Sequence, residues 1–446
     1  MRLAIVVQRY GADISGGAEL HARYIAEHLA RHAEVEVLTT CARDYVSWRN
    51  EFAPGVDQVH GIPVHRFAVV RERNEIDFGR RSAHVFDHPH SLAEELAWLD
   101  SEGPACPDLI KQLEAWRTRF DFVLLFSARY YHAYYGARAV PERAVLIPTA
   151  EREASLGLSM FGPIFRGVRA IMYNSPEERT LLNGLAANEH VPGVVVGVGS
   201  EIPDRVEPER ARQKFSLRKP FVIYVGRIDV NKGCGELFDS FARYLKTSRR
   251  PVDLVLIGTP AMPIPDHRSI RHLGYVSDQD KFDAIAAASV LVMPSYYESL
   301  SMVALEAWAL GRPVLANAHC DVLLGQCLRS NAGLYYENAH EFAGALHRLL
   351  EDERLSRRLG ENGREYYRRH YTWPVIEEKY LDMFARLSSQ PPTHVMEPLP
   401  GFLARRARTA RPAAAAINAV PAGAIVPARR AESHAAPVRR ARGEHR

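Results

Sequence analysis

The sequence predicts an α/β protein built from two doubly wound, Rossmann-like domains. With 446 residues, 47% of them hydrophobic, the chain is longer than a single hydrophobic core usually supports. Short apolar runs alternate with amphipathic helical stretches, and this alternation is typical of parallel sheets. A polar, charged linker runs from about residue 200 to 220 and separates two such series. We therefore predict two domains with a boundary near residue 200.

The first predicted domain covers residues 1–200. Its expected strands are residues 3–7, 35–38, 62–70, 121–127, 144–148, 168–174 and 194–198. Gly16 and Gly17 lie between the first strand and the first helix, where a missing Cβ lets backbone approach a ligand closely. No G-x-G-x-x-G follows, so the loop is not a dinucleotide fingerprint. Residues 92–116 are predicted to be helical.

The second predicted domain covers residues 201–374, with strands at 221–225, 252–258, 273–276, 290–293 and 314–316. Arg227 and Lys232 lie on the loop after its first strand, where open α/β sheets bind ligands. The loop is not a P-loop, because no G-x-x-x-x-G-K-[ST] occurs. These two cations predict an anion site, and a solvated basic loop is the alternative.

Residues 294–316 carry the strongest signal in the chain. Ser299 or Ser301 is the expected N-cap of a helix whose free N–H groups, over about residues 300–303, favour a phosphate or carboxylate. Glu298 precedes that helix end, and Glu306 lies about 7.5 Å further along the helix axis. A nucleotide diphosphate sugar fits this order, with a carboxylate on hydroxyls at each end and amides on the diphosphate. Two surface carboxylates flanking an ordinary helix are the alternative.

The sequence around these glutamates resembles the signature of the retaining glycosyltransferase family numbered four. Glu298, seven residues, Glu306 and then the Gly-Arg-Pro-Val-Leu of residues 311–315 carry the resemblance. It recurs in order over residues 3–388, with Gly-Gly-Ala-Glu at 16–19 and G-R-x-x-x-x-K-G at 226–233. The resemblance implies the GT-B fold, in which two domains face each other across a cleft. It also implies that a helix at about residues 375–390 returns to the first domain. With this resemblance, we expect the acceptor side of the site within residues 41–120.

The resemblance further implies a role for each matching residue. Arg227 and Lys232 would grip the leaving diphosphate, Glu298 would bind the transferred sugar, and Glu306 would bind the ribose. The other donor-binding residues would be Gly16, Gly17, Gly226, Tyr275, Val276, Ser299, Leu300 and Ser301.

One position departs from the family pattern. Glu151 and Arg152 stand where relatives often carry His-Asp, and the histidine of relatives helps to hold the transferred sugar. Either Glu151 substitutes for that histidine with altered specificity, or His132 contributes from its own segment, or this step is impaired.

The C-terminal part, residues 391–446, is predicted to be a disordered tail rich in Ala, Pro and Arg. Residues 401–446 carry ten Arg against Glu432 and Glu444, so the tail could contact an anionic membrane by charge. A compositional extension without a role is the other interpretation.

The cysteines, the apolar runs and the possible metal ligands bear on the compartment and on cofactors. Five cysteines without a C-x-x-C pair indicate reduced thiols, and no apolar run reaches about 18 residues, so we expect a cytoplasmic protein, peripheral at the membrane if the tail binds lipid. We expect no metal and no cofactor, because the cations and the helix start can neutralise a diphosphate. A metal site around His84 to His90 is not predicted, since its spacing matches no metal motif and Pro89 interrupts it. We expect no nucleic-acid partner.

The predicted function is metal-independent, retaining transfer of a sugar from a nucleotide diphosphate sugar to a hydroxyl of a saccharide or lipid-linked acceptor. Cell-envelope polysaccharide or glycolipid synthesis is the expected setting. The alternatives are a nucleotide-sugar-binding protein without catalysis, and a same-fold epimerase or phosphorylase.

Overall fold

The computed structural model describes residues 1–14, 16–248, 250–391, 396–400 and 425–426. The first domain is organised by strands β1 (Arg2–Val6), β2 (Glu34–Thr40), β3 (Gly55–Val59), β4 (Ile62–Phe67), β6 (Phe122–Phe126), β7 (Ala144–Ile147), β8 (Ala170–Tyr173) and β9 (Gly193–Val195), with the short β5 (His90–Ser91) outside the sheet. Their order is β3-β4-β2-β1-β6-β7-β8-β9, and all pairs are parallel except β3 with β4.

Both faces of this sheet are covered, as parallel sheets require. Leu3 and Ile5 of β1 belong to one apolar cluster, whereas Ala4 and Val6 belong to another on the opposite face. The covering helices are α1 (Gly17–Leu29), α2 (Glu75–Asp87), α3 (Leu92–Glu102), α4 (Pro107–Ala115), α5 (Tyr131–Ala139), α6 (Phe161–Gly167) and α7 (Pro176–Ala186), together with a 3₁₀ turn at Ala154–Gly157.

The helical prediction for residues 92–116 is correct in type and wrong in continuity. The segment forms two helices, α3 and α4, because Gly103 takes a left-handed φ of 73° and Pro104 follows it. Helix α2 was missed by the sequence analysis. It buries little beyond Val85, so its apolar periodicity is weak.

The second domain contains a six-stranded, wholly parallel sheet. Its strands are β10 (Phe221–Val225), β11 (Asp253–Ile257), β12 (Ile270–His272), β13 (Val290–Met293), β14 (Val314–Asn317) and β15 (Gly333–Tyr336), ordered β12-β11-β10-β13-β14-β15. The strand predicted at 273–276 is wrong. The strand lies earlier, at Ile270–His272, because Gly274 turns the chain with a φ of 75°.

The helices of the second half are α8 (Pro208–Lys214), α9 (Cys234–Thr247), α10 (Asp278–Ala287), α11 (Met302–Ala309), α12 (Asp321–Ser330), α13 (Ala339–Glu351), α14 (Glu353–His370) and α15 (Trp373–Ser388). Helix α15 returns to the first domain. Phe384 stacks on Phe122 with ring centroids 5.0 Å apart, and Arg169 donates to the Leu387 carbonyl at 2.6 Å. The predicted fold class is confirmed, including this returning helix.

The joint between the domains is built around His28 on α1. Its ring stacks on Trp373 at a centroid distance of 3.6 Å. Its two nitrogens each lie 2.6 Å from a carboxylate oxygen, one on Glu377 of α15 and one on Glu201 of the interdomain linker. One side chain therefore ties together the first domain, the linker and the returning helix.

Part of the segment predicted to be disordered is described. Met396 is buried beneath α6, where it packs against Gly167, and the Glu397 carbonyl accepts a bond from Arg138 at 2.8 Å. Residues 425–426 form strand β16 (Ile425–Val426), which pairs antiparallel with β5. The rest of the predicted tail, with its arginines, lies outside the described residues. No helix in the described ranges is long and apolar enough to cross a membrane.

Candidate active site

The candidate site lies where the carboxyl ends of the two parallel sheets face each other. Loops from the two domains meet there directly. The Asn174 side chain donates to Ser299 Oγ at 3.4 Å, and Arg152 pairs with Asp321 at 2.7 Å. Ligands of open α/β sheets bind outside the carboxyl ends of the strands. The cleft therefore has the expected position for a shared ligand.

Lys232 and Glu298 form an ion pair at the floor of this cleft. Lys232 Nζ lies 2.9 Å from Glu298 Oε1 and 3.4 Å from the Tyr297 carbonyl oxygen. Burial alone would lower the pKa of Lys232, but the carboxylates of Glu298 and Glu151 outweigh burial and raise that pKa above its ordinary value. Lys232 is therefore a fixed cation at neutral pH.

The loop after β10 reaches Glu298 because of a glycine. Gly233 has a φ of 71°, and a Cβ at this position would lie 2.2 Å from the Pro294 carbonyl oxygen. No other residue type allows the two loops to approach this closely. The Gly-bearing turn thus places Lys232 against the segment that begins at Pro294.

Glu151 of the first domain lies within electrostatic range of this ion pair. Burial raises the pKa of Glu151 to about 7, Lys232 lowers it, and Glu298 raises it. The carboxylates of Glu151 and Glu298 therefore both interact electrostatically with the ammonium group of Lys232. That Glu151 takes the place of the histidine found in the resembled family stays a prediction.

His132 is the other residue predicted to contact sugar or acceptor. It is fully buried on α5, and its Nε2 lies 2.8 Å from the Phe126 carbonyl oxygen. Burial lowers the pKa of His132 to about 4, so the ring is neutral. Its Nδ1 has no hydrogen-bond partner among the described residues, and the prediction that His132 contacts sugar or acceptor stays a prediction.

Arg227 is in the cleft but does not pair with Glu298. Its Nε lies 2.9 Å from Asp229, and its guanidinium bonds the hydroxyl of Tyr45 from the first domain and lies 5.4 Å from that ring's centroid. The preceding Gly226 has a φ of 150°. The two predicted cations therefore lie at different points of the cleft. Lys232 pairs with Glu298, whereas Arg227 contacts Tyr45 of the first domain.

Glu306 is buried within α11 and has one oxygen unengaged. Its Oε1 accepts a bond from Lys281 at 2.9 Å, whereas its Oε2 has no hydrogen-bond partner in the part of the chain that the structure describes. Burial raises the pKa of Glu306, and Lys281 opposes that rise. A buried acceptor without a partner is costly, so this oxygen is suited to a ligand hydroxyl.

Of the two N-cap candidates, Ser301 caps α11. Its side chain accepts from the Ala304 N–H at 3.2 Å, and its own N–H donates to Gln326 at 3.4 Å. Ser299 instead meets Asn174, and Leu300 is buried in the core. The helix start thus faces the cleft with part of its backbone already engaged.

The remaining predicted donor residues flank this centre. Gly16 caps α1, and a Cβ there would lie 2.0 Å from the Glu19 carboxylate, whereas a Cβ on Gly17 would meet nothing within 4 Å. Glu19 is held by Arg9 at 2.6 Å. Tyr275 is 77% exposed, with the partly buried Val276 beside it. Tyr275 and Val276 leave an open surface after β12.

A cavity of about 230 Å³ lies in the first domain, within the range 41–120 where the acceptor side is predicted, although no residue of it was singled out from the sequence. Its lining residues are Trp48, Arg71, Glu72, Arg73, Asn74, Asp77, Asp100, Ser101, Gly103 and Ala105. A row of bonds leads from it to the cleft, because Arg73 bonds Glu102 at 3.1 Å and Glu102 bonds Arg129 at 2.8 Å. Arg129 in turn bonds Glu153, two residues from Glu151. The charged run 71–74 after a predicted strand was the available signal.

Comparison with solved structures places the architecture in a known class. Sucrose-phosphate synthase from Thermosynechococcus elongatus superposes with a TM-score of 0.64 at 17% identity, over 87% of this chain and 99% of that one. HepE from Anabaena, solved in complex with UDP and glucose, gives 0.62 at 17% identity over 86% and 100%. WaaG, a glycosyltransferase involved in lipopolysaccharide biosynthesis, gives 0.59 at 18% identity over 86% and 99%. The fold is that of the GT-B glycosyltransferases.

Sequence comparison gives a family match over part of the chain. Residues 206–366 match the family model of glycosyl transferases group 1. A D-inositol 3-phosphate glycosyltransferase from Streptomyces bingchenggensis is 26% identical over 84% of this chain and 86% of its own length. A second relative of that description, from Corynebacterium glutamicum, is 28% identical over 46% of this chain and 53% of its own, so that match spans about half of the relative.

Proposed function

We propose that the protein transfers a sugar from a nucleotide diphosphate sugar to an acceptor hydroxyl, with retention of anomeric configuration and without a metal ion. The observation that carries the proposal is the ion pair of Lys232 and Glu298 at the cleft, whose charges both act on Glu151 of the first domain. A fixed cation with carboxylates near it, beside the start of a helix, suits a ligand that is anionic on one side and rich in hydroxyls on the other. We assign Glu151 to the transferred sugar.

The donor half of the proposal assigns one group to each part of the ligand. Glu306 Oε2 accepts the ribose hydroxyls, because this buried oxygen lacks a partner among the described residues. Lys232 has three N–H donors and uses two of them, on Glu298 and on the Tyr297 carbonyl oxygen, so the third can bind an oxygen of the departing diphosphate. Arg227 binds the same group after exchanging its contact with Tyr45.

The proposed catalytic step follows from where charge develops. As the bond from the sugar to the diphosphate breaks, negative charge grows on the leaving oxygen. Preorganised cations lower that barrier because they bind the transition state more strongly than the ground state. Lys232 and Arg227 supply this charge, and Glu298 orients the sugar hydroxyls beside Lys232. In this assignment no step requires a metal ion.

The acceptor half is assigned to the polar cavity beside Trp48. The cavity volume, about 230 Å³, and its carboxylate, amide and hydroxyl groups suit a polyhydroxy compound. The relative from Streptomyces bingchenggensis is named a D-inositol 3-phosphate glycosyltransferase, which supports an acceptor of the polyol or saccharide class. A saccharide or lipid-linked acceptor in cell-envelope polysaccharide or glycolipid synthesis is the proposed setting, and the arginine-rich residues 401–446 are proposed to add electrostatic contact with anionic lipid at the cytoplasmic face.

A thermal-shift panel followed by a transfer assay tests the proposal. UDP-, GDP-, ADP- and TDP-sugars are compared, since a ligand at 100 times its Kd stabilises the fold by about 2.7 kcal/mol. The stabilising donor is then incubated with polyol and saccharide acceptors, with and without EDTA, and the anomeric configuration of the product is read by NMR. Retention and full activity in EDTA support the proposal. Binding without turnover would indicate a binding protein, product without acceptor an epimerase, and dependence on free phosphate a phosphorylase.

A further inference from the structure

Glu178 is a buried carboxyl group at the first turn of α7, just behind the cleft. It is 1% exposed, and its backbone N–H is capped by Ser175 Oγ at 3.1 Å. It belongs neither to the ion pairs of the cleft nor to the sequence signature. Both of its carboxylate oxygens are nevertheless engaged by backbone groups.

The two oxygens hold two different loops. Oε1 accepts the N–H of Ala150 at 2.5 Å, and Oε2 accepts the N–H of Asn174. Ala150 immediately precedes Glu151, and the side chain of Asn174 reaches across the cleft to Ser299. Glu178 therefore joins the loop that carries Glu151 to Asn174, the residue that contacts Ser299 of the second domain.

The loop held by Glu178 is strained. Thr149 has a φ of 47° and Ser127 a φ of 62°, and their hydroxyls bond each other at 3.0 Å. A left-handed conformation is costly for a β-branched residue and persists only where surrounding bonds enforce it. The Glu178 bond to Ala150 is the adjoining restraint on this backbone.

We propose that Glu178 is a positioning residue that clamps the loop of residues 149–151 and thereby sets Glu151 against Lys232 and Glu298. The inference rests on the proposed function, because it assigns Glu151 to the transferred sugar. Two backbone N–H donors require two acceptor oxygens. Burial raises the pKa of Glu178 to about 8, although the two N–H groups oppose that rise, and both oxygens of the carboxyl group can accept a bond. Glutamine supplies one acceptor oxygen and turns an NH₂ donor toward the other N–H.

The first test is a double-mutant cycle in the full chain. Glu178→Gln is expected to lower the turnover number roughly 10- to 100-fold, because displacing a reacting group by about 1 Å has an effect of that size. In the Glu151→Gln background the same change is expected to cost less than about threefold, because two changes that act through one group are not additive. A residue with a merely structural role would give the same factor in both backgrounds, and that outcome overturns the proposal.

The second test does not depend on transfer activity. Glu178→Gln is expected to speed amide exchange at Ala150 and Asn174 and to leave the affinities for UDP, GDP, ADP and TDP unchanged, because the proposed nucleotide contacts are in the other domain. Glu189→Gln, an exposed glutamate beyond the same helix, is the matched control and should change none of these quantities. If the two amides remain protected in Glu178→Gln, the clamp is refuted. If they are released while the wild-type protein transfers no sugar, the proposed function fails and the clamp stands.

Discussion

Lys232 Nζ lies 2.9 Å from Glu298 Oε1, although the two residues are on loops that follow different strands of the second sheet. The pair forms because β10 and β13 are neighbours and Gly233 lets their loops touch. An ammonium held in this way is oriented before any ligand arrives. Orientation before binding is what makes a charge effective in a transition state.

Removing either cation should therefore slow turnover rather than merely weaken binding. Lys232→Ala and Arg227→Ala are each expected to lower the turnover number about 10²- to 10³-fold, and added Mg²⁺ should not restore it. The double variant should lose less than the product of the two single losses, because both groups act on one leaving group. Lys246→Ala, an exposed lysine on α9, is the control. Near-normal turnover in either single variant, with an unchanged melting temperature, would contradict the assignment.

The two glutamates of the signature should separate in their effects. Glu306→Gln is expected to weaken binding of the free nucleoside diphosphate by roughly 1.5–3 kcal/mol, the usual size of a hydrogen bond to a charged group. Glu298→Gln should leave that affinity within about twofold and lower sugar transfer. Isothermal titration with the nucleotide, beside a transfer assay with the intact donor, distinguishes them. Equal losses of nucleotide affinity in both variants would show that the two ends of the ligand are wrongly assigned.

The sequence predicted the fold class and most strands because parallel sheets buried on both faces leave unbroken apolar runs, such as residues 221–225 and 290–293. It failed at α2, whose exposed faces leave no periodic signal, and at residues 273–276, where a glycine turn follows the strand. The two motifs that contain Lys232 and Glu298 allowed both residues to be predicted as part of one site. The sequence analysis could not find Glu178, because a side chain that holds backbone N–H groups far along the chain leaves no local pattern.

The protonation of Glu151 should make the stability of the protein depend on pH. Its pKa is raised from 4.5 to about 7 by burial, so the folded protein keeps a proton that the unfolded chain has released between these values. Stability must therefore fall as the pH rises through about 5 to 7, since the folded state then binds more protons. Glu151→Gln removes this contribution.

The measurement is the difference in unfolding free energy between wild-type protein and Glu151→Gln, taken from denaturant curves at several pH values. The free energy of unfolding of the wild-type protein should fall relative to that of Glu151→Gln as the pH rises from 5 to 7. The difference should stay constant above pH 8. Glu189→Gln should give a flat difference across the same range. A flat difference for Glu151→Gln as well would mean that Glu151 is ionised at every pH tested.

Substitution of Gly233 tests whether this glycine positions the loop that bears Lys232, and substitution of Gly184 is the control. At Gly233 the φ of 71° and the 2.2 Å approach of a Cβ to the Pro294 carbonyl both oppose any side chain. Gly233→Ala is therefore expected to destabilise the fold by more than about 1 kcal/mol and to lower turnover, because the loop bearing Lys232 must move. Gly184, inside α7, would give a new Cβ nothing within 4 Å. Gly184→Ala should stabilise the protein by about 0.5–1 kcal/mol through helix propensity, with turnover unchanged. Thermal melts and steady-state rates on both variants decide the point. If Gly233→Ala melted like the wild-type protein and kept its turnover number, the close approach of the two loops would not be what positions Lys232.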